Sequence, residues 1–147
     1  MRGKQHDSLV SPCMCTALRQ ASRAVSRLYD AELRRAGLRT TQYSLLGRLG
    51  SVGEVRQRDL GRMTSLDETT LTRNLRRLID AGWVDTTPGE DEREKLVRLT
   101  KDGIAKLRQA RPAWERAQRR MRSRLPHGEF AALLAALPDL ARVADEA

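Results

Sequence analysis

Apolar positions along this chain recur mostly at spacings of three and four, the signature of helices with one covered face. Met14, Leu18, Ala21, Val25 and Leu28 form the first stripe, laid out like the a/d seam of a helix that packs on another helix. The stripe predicts a helix from about residue 13 to Ala36, stopped by Gly37 at a position suited to a left-handed C′ residue. Thr40 or Thr41 can cap a second helix carrying Tyr43, Leu45, Leu46 and Leu49. Helical patterning resumes at about Gln57, with Leu60 and Met63 expected inward, and breaks at Thr64-Ser65-Leu66. Asp67 then reads as an N-cap, with Glu68 favourable at the positive end of the helix that follows. Leu71, Leu75 and Leu78 share one face of that helix, which ends at Gly82.

The period then changes. Residues 83–87 are β-prone, residues 88–92 carry turn chemistry, and residues 95–99 form a second short strand, so a hairpin with a charged tip is expected. Thr100 caps a long helix with Leu107, Ala110, Trp114, Ala117 and Met121 on a further seam, and Pro112 is expected to kink it. After a turn at Pro126-His127-Gly128 comes a last helix with Phe130, Leu133, Leu134, Leu137 and Leu140, bent or restarted at Pro138. The predicted fold is mainly α with a small β-hairpin wing: a winged helix-turn-helix lobe plus terminal helices forming a dimerisation lobe. One domain is expected over residues 1–147, with a loose arm at 1–12, dimerisation helices at 13–37 and 104–147, and the winged segment at 38–103.

Composition narrows the function. Aromatics are confined to Tyr29, Tyr43, Trp83, Trp114 and Phe130, so the core must be built by Leu and Ala. The formal charge is +9, from 28 basic and 19 acidic side chains, which suits a polyanionic partner, nucleic acid ahead of an acidic membrane surface. No apolar run reaches the ~20 residues a membrane helix needs, and no signal-peptide core follows the basic start; a cytoplasmic protein with no membrane partner is expected.

The helix after Asp67 has an apolar back and a Thr/Arg front, the arrangement of a recognition helix in the major groove of double-stranded DNA. Arg73 has the reach for bidentate contact with guanine, while Thr69, Thr70 and Thr72 can serve phosphates or a thymine methyl. Arg76 and Arg77 extend the same face, and Arg56, Arg58 and Arg62 on the preceding segment suit phosphates. Taken alone, such an arginine face can equally be a solvated helix surface; the hairpin that follows favours the DNA reading.

These motifs resemble the multiple-antibiotic-resistance regulator (MarR) family of winged helix-turn-helix transcription regulators. The family's D-x-R and L-T-x-x-G pattern stands here as Asp91-Glu92-Arg93 and Leu99-Thr100-Lys101-Asp102-Gly103. Leu71-Thr72-Arg73-Asn74-Leu75, Leu78 through Gly82-Trp83-Val84, and the stretch from Leu38 to Leu46 match as well, so the resemblance spans roughly residues 15 to 140. It implies a homodimer built from the first and last helices, a pseudo-palindromic operator, and an Arg93 that enters the minor groove from the wing tip, held by a salt bridge to Asp91. It also implies a pocket for a small aromatic or phenolic effector, for which Tyr43 and Trp114 are candidates, although core or seam positions suit them as well. Pro112 and Pro138 depart from the more continuous helices of the family.

Cys13 and Cys15 leave three readings open: passive thiols, a redox sensor, or metal ligands together with His6. A thiolate near a helix N-terminus oxidises readily, and a disulfide closed within C-x-C is strained, which favours bonding across a dimer. Zinc wants four ligands and this spacing supplies at most three, so no metal site and no cofactor are expected. His6 and His127 lack local nucleophile or base partners, carboxylates such as Asp30 and Glu32 read as a solvated helix face, and no catalytic motif appears; the chain is not expected to be an enzyme. The functional expectation is a signal-released dimeric repressor responding to oxidation or a small ligand. The rival is an architectural protein that coats DNA without a signal, marked by weak sequence preference and a steep salt slope.

Overall fold

The structure is a computed structural model and describes residues 12–146. His6 and most of the expected N-terminal arm lie outside the described residues. The order of elements is α1 (Met14–Leu33), a 3-10 turn (Arg34–Ala36), α2 (Thr40–Val52), β1 (Val55–Arg56), α3 (Gln57–Thr64), α4 (Glu68–Asp80), β2 (Val84–Pro88), β3 (Lys95–Leu99), α5 (Lys101–Arg124) and α6 (Glu129–Asp145). This is the mainly helical winged helix-turn-helix fold expected from the sequence.

Local chemistry sets the boundaries. Gly37, at φ 71°, closes the turn after α1 in the left-handed conformation. Thr100 caps α5 by accepting the Gly103 N–H at 3.0 Å, and its hydroxyl donates to the Gly82 carbonyl at 2.6 Å. One hydroxyl thus ties the end of α4, the base of the wing and the start of α5 together. Gly103 is required there, because a Cβ at this position would collide with the Trp83 carbonyl oxygen.

The wing is larger than the predicted hairpin. A third strand, β1, joins it, giving an antiparallel sheet in the order β1-β3-β2. Val55 pairs with Val97 and Arg56 with Leu96; on the other side Val84 pairs with Leu99, and Pro88 with Lys95. β1 has only two residues, too few to show a period.

The core is aliphatic. Leu33, Leu38, Leu45, Leu46, Leu49, Leu60, Leu78, Val84 and Val97 are fully buried between the end of α1, the helices α2 to α4, the sheet and α5. Met63, expected inward, is 43% exposed; an α3 of 8 residues has room to bury Leu60 and Gly61 only. The seam of α5 is also not a free surface. Ala110, Ala113 and Ala117 are buried against the chain's own α1 and α2, so this seam belongs to the intrachain core. Small alanines let the helices come close. α5 and α6 are each assigned as unbroken helices through Pro112 and Pro138.

Two carboxylates read as solvated are structural. Asp30 Oδ1 accepts both the N–H and the hydroxyl of Thr40 at 2.7 Å, so an aspartate from α1 holds the first turn of α2. The N-cap position itself falls on Arg39, whose N–H donates to the Gln42 side chain at 3.0 Å. Glu32 is buried and accepts from Arg116 Nε at 3.1 Å and Arg120 Nη1 at 2.7 Å, clamping α1 to α5. Its carboxyl is drawn below its ordinary value of 4.5, first by the Arg120 hydrogen bond, then by Arg116, against an opposing effect of burial.

A lowered carboxyl pKa stabilises the fold above the unfolded-state value, and that stabilisation disappears as pH falls through the folded-state value. Glu32→Gln is therefore expected to lower the melting temperature most near neutral pH, with the gap from the unaltered protein closing as pH drops below about 4.5. Melting curves across the acid range test this; a gap that stays constant over that range would remove Glu32 from the pH dependence of stability.

Candidate nucleic-acid interface

α3 and α4 form the helix-turn-helix. Ser65, at φ 53°, ends α3 in the left-handed conformation. Asp67 starts α4 as predicted: its Oδ1 accepts the Thr70 N–H at 2.8 Å and its Oδ2 the Thr70 hydroxyl at 2.7 Å. The Thr70 hydroxyl, then the Thr70 amide, hold this carboxyl below its ordinary value of 3.8. Thr70 was expected to offer its hydroxyl to DNA, but here it is engaged in the cap.

The buried face of α4 consists of Leu71, Asn74, Leu75 and Leu78. Asn74 is satisfied locally, its amide donating to the Thr70 carbonyl at 2.8 Å. The outer face presents Thr69, Thr72, Arg73, Arg76 and Arg77 in one open surface, bounded by Glu68 and Asp80 at the two ends. The residues of α4 expected to contact DNA therefore share one exposed helix face, with the single exception of Thr70.

A second surface, a groove of about 730 Å³, lies between α3, the start of α4 and the wing. Arg56, Arg58, Arg62, Arg93 and Lys95 bring five cationic side chains to its wall, and Thr72 joins it from α4. Neighbouring acids partly engage two of them: Arg56 Nε lies 3.4 Å from Glu94, and Arg62 lies 3.8 Å from Asp59. Arg56 is thus less free for a phosphate than its position in sequence implied. Gln57 and Lys95 were not expected in the site. Gln57 reaches the Thr72 hydroxyl at 3.4 Å, and Lys95 enters through the register of β3 against β2; neither is visible without tertiary structure. Chemically, the two surfaces offer a polar and arginine-bearing ridge that fits a groove, beside a concave cationic wall that fits a sugar-phosphate strand.

The wing tip corrects one expectation. Among the described residues no ion pair joins Asp91 to Arg93. Instead the Asp91 carboxylate accepts the backbone N–H of Arg93 at 3.1 Å, the Asx-turn geometry of a short acidic side chain two residues before a donor. Glu94 N–H to Asp91 carbonyl and Gly89 N–H to Glu94 carbonyl, both 2.8 Å, complete the turn. Asp91 positions Arg93 through the backbone and leaves the guanidinium exposed.

Cys13 and Cys15 are both free and exposed. Cys13 stands at the N-cap of α1, where the Thr16 amide, then the Thr16 hydroxyl and the Cys15 amide, lower its thiol below the ordinary 9.0. Cys15 Sγ lies 3.6 Å from the Arg19 guanidinium. Tyr43 and Trp114 are half-buried and stack on each other, ring centroids 6.0 Å apart at 20°, filling the space between α2 and α5. His127 is exposed in the turn before α6, and no cluster of three metal-ligating side chains occurs among the described residues. No helix among them is long and apolar enough to cross a membrane.

The backbone role of Asp91 separates two substitutions. Asp91→Asn keeps an acceptor for the Arg93 amide and should leave its hydrogen exchange nearly unchanged, whereas Asp91→Ala should speed exchange there and weaken DNA binding. If Asn and Ala were equally harmful, the carboxylate charge would be what matters.

The comparisons with known proteins agree with this geometry. Residues 36–94 match the profile of the MarR family. The HTH-type transcriptional regulator YwoH of Bacillus subtilis, itself uncharacterised, is 33% identical over 99 residues, which cover 67% of this chain and 72% of that protein. The multiple antibiotic resistance protein MarR of Salmonella typhimurium is 35% identical over 80 residues, 54% of this chain and 56% of that protein. Among solved structures, the M. tuberculosis transcriptional regulator MosR in complex with DNA matches 92% of this chain and 98% of its own at 30% identity and a TM-score of 0.81. A mutant E. coli MarR complexed with operator DNA matches 86% of this chain and 92% of its own at 25% identity and a TM-score of 0.75. The chain therefore belongs to the MarR family and is a DNA-binding transcriptional regulator.

Proposed function

We propose that this protein is a homodimeric repressor, without enzymatic activity, that holds a pseudo-palindromic operator and releases it on a signal. The observation that carries the reading is the exposed Thr69-Thr72-Arg73-Arg76-Arg77 face of α4 beside a cationic groove that ends at Arg93. In this reading Arg73 reads base edges in the major groove, Arg58 and Arg62 hold phosphates, and Arg93 enters a narrow minor groove. Residues 38–103 are the DNA-binding lobe; residues 13–37 and 104–147 are the dimerisation lobe.

Support for the dimer comes from uncovered apolar surface. Met14, Leu18 and Val25 on α1, with Leu133, Leu134, Leu137 and Val143 on α6, are all exposed, and α6 buries no residue at all. A helical face of this kind calls for a partner, and a second copy supplies one by two-fold symmetry. The seam of α5 is not part of this argument.

The signal in this reading is oxidation at Cys13. Its exposure and its lowered thiol pKa favour attack on a peroxide. Tyr43 and Trp114, the candidates for an effector pocket, stack on each other, a contact that suits packing residues as well.

Arg73→Ala should cost roughly 1–3 kcal/mol of discrimination between operator and random DNA. Titrations of both duplexes measure it; equal losses on the two would remove Arg73 from base readout. Light scattering is expected to give the mass of a dimer, and a monodisperse monomer at micromolar concentration would refute that part of the proposal. Mild peroxide should weaken operator binding of the unaltered protein and leave the double variant Cys13→Ser, Cys15→Ser unaffected. An identical response in both would make the cysteines passive and direct attention to a small ligand.

A further inference from the structure

The basic excess of this protein does not reside in the winged segment. Residues 38–103 hold 12 basic and 11 acidic side chains, a net +1. Residues 13–37 and 104–124, the sequence of α1 and α5 with their flanks, hold 13 basic and 3 acidic ones, a net +10. The formal +9 of the whole chain is therefore carried by helices that the recognition of an operator does not use.

The placement of these charges is regular. On α5, Arg108, Arg111, Glu115, Arg119 and Arg122 follow one another at three- and four-residue spacing, on the side opposite the buried Ala110, Ala113 and Ala117. Arg108, Arg111, Arg119 and Arg122 are exposed, and the one acid in the row pairs with Arg111 at 3.1 Å. The row is about 21 Å long at 1.5 Å of rise per residue. On α1, Arg19, Arg23 and Arg27 are exposed at four-residue spacing and face away from the stripe of Met14, Leu18 and Val25. A partner that covers that apolar stripe leaves these arginines open.

The rows stand on other elements than the operator-reading surface, and none of their residues lines it. α2 packs against both α4 and α5, which make no comparable contact with each other. We propose that the arginine rows of α5 and α1 form a second, sequence-independent surface for a DNA duplex, so that the operator-bound protein can hold a further segment of double-stranded DNA. Rows in which arginines outnumber acids neutralise successive phosphates and release their counterions, which needs no base contact. This goes beyond the operator-binding reading and uses none of the residues assigned there to DNA contact, although the rows lie on helices of the dimerisation lobe.

The test separates the two surfaces. The protein is first loaded on an immobilised operator duplex just long enough for one site, which by itself checks the operator-binding reading. A fluorescent duplex without an operator is then offered across a salt series. The unaltered protein should capture it at low salt and release it steeply as salt rises. A variant with R23Q, R27Q, R108Q, R111Q and R119Q, which spares Arg122 because it lies over the Phe130 ring at 5.2 Å, should keep operator affinity within about twofold and lose about tenfold or more of the second capture. Circular-dichroism melting confirms that the variant folds, and light scattering that it keeps the mass of the unaltered protein. No second capture by the unaltered protein, or equal capture by the variant, would overturn the proposal. So would recovery of vesicles rich in anionic phospholipid with no recovery of duplex, which would reassign the rows to a membrane surface.

Discussion

The last turns of α1 carry two carboxylates that look in different directions, and the rest of the architecture is arranged around them. Asp30 holds the first turn of α2 through Thr40, and Glu32 sits buried between Arg116 and Arg120 of α5. Burying a carboxylate is costly unless it is paired and hydrogen-bonded. Glu32 meets both conditions with Arg116 and Arg120, and Arg35 adds a third cation at 3.9 Å. The same stretch of helix therefore fixes the start of the helix-turn-helix on one side and the longest helix of the chain on the other. The direction in which α4 and the wing present their arginines depends on this joint.

Further along the chain, hydroxyls and short acids do comparable work at smaller scale. Asp67 orders the first turn of α4, Thr100 joins three segments through two hydrogen bonds, and Asp91 shapes the wing tip through a backbone amide. In each case a polar side chain saturates backbone donors or acceptors that a helix end or a turn would leave open. The arginines that follow Asp67 and Asp91 are then free to face outward from an ordered backbone.

How much of this was legible in the sequence follows from the range of each interaction. The caps at Asp67 and Thr100, the stop at Gly37 and the bounds of β3 rest on neighbours a few residues away, and they were readable. β1 escaped because two residues carry no period. The α5 seam showed that a helix would be covered but not by what, and its cover proved to be α1 and α2 of the same chain. Asp30 and Glu32 were misread because their partners lie 10, 84 and 88 residues away. The exposed face of α4 was legible since its apolar positions fix the opposite side, whereas the cationic groove beside it needed the register of β3 to bring Lys95 near Arg58. The sequence places Asp91 beside Arg93 but does not show which donor it holds, and in the structure that donor is the amide of Arg93.

α6 has 17 residues and not one is buried. In proteins most of a helix's stability comes from packing of its apolar face, and within the protomer α6 only half-buries Phe130 and Leu140. If a second copy supplies the rest of that packing, folding of this segment and association of the chains become one reaction, and the free energy of the ordered state contains a term in protein concentration. The number of molecules per cell would then act as a control variable in its own right. Dilution would melt α6, and a regulator scarce enough would lose its grip on DNA with no signal present.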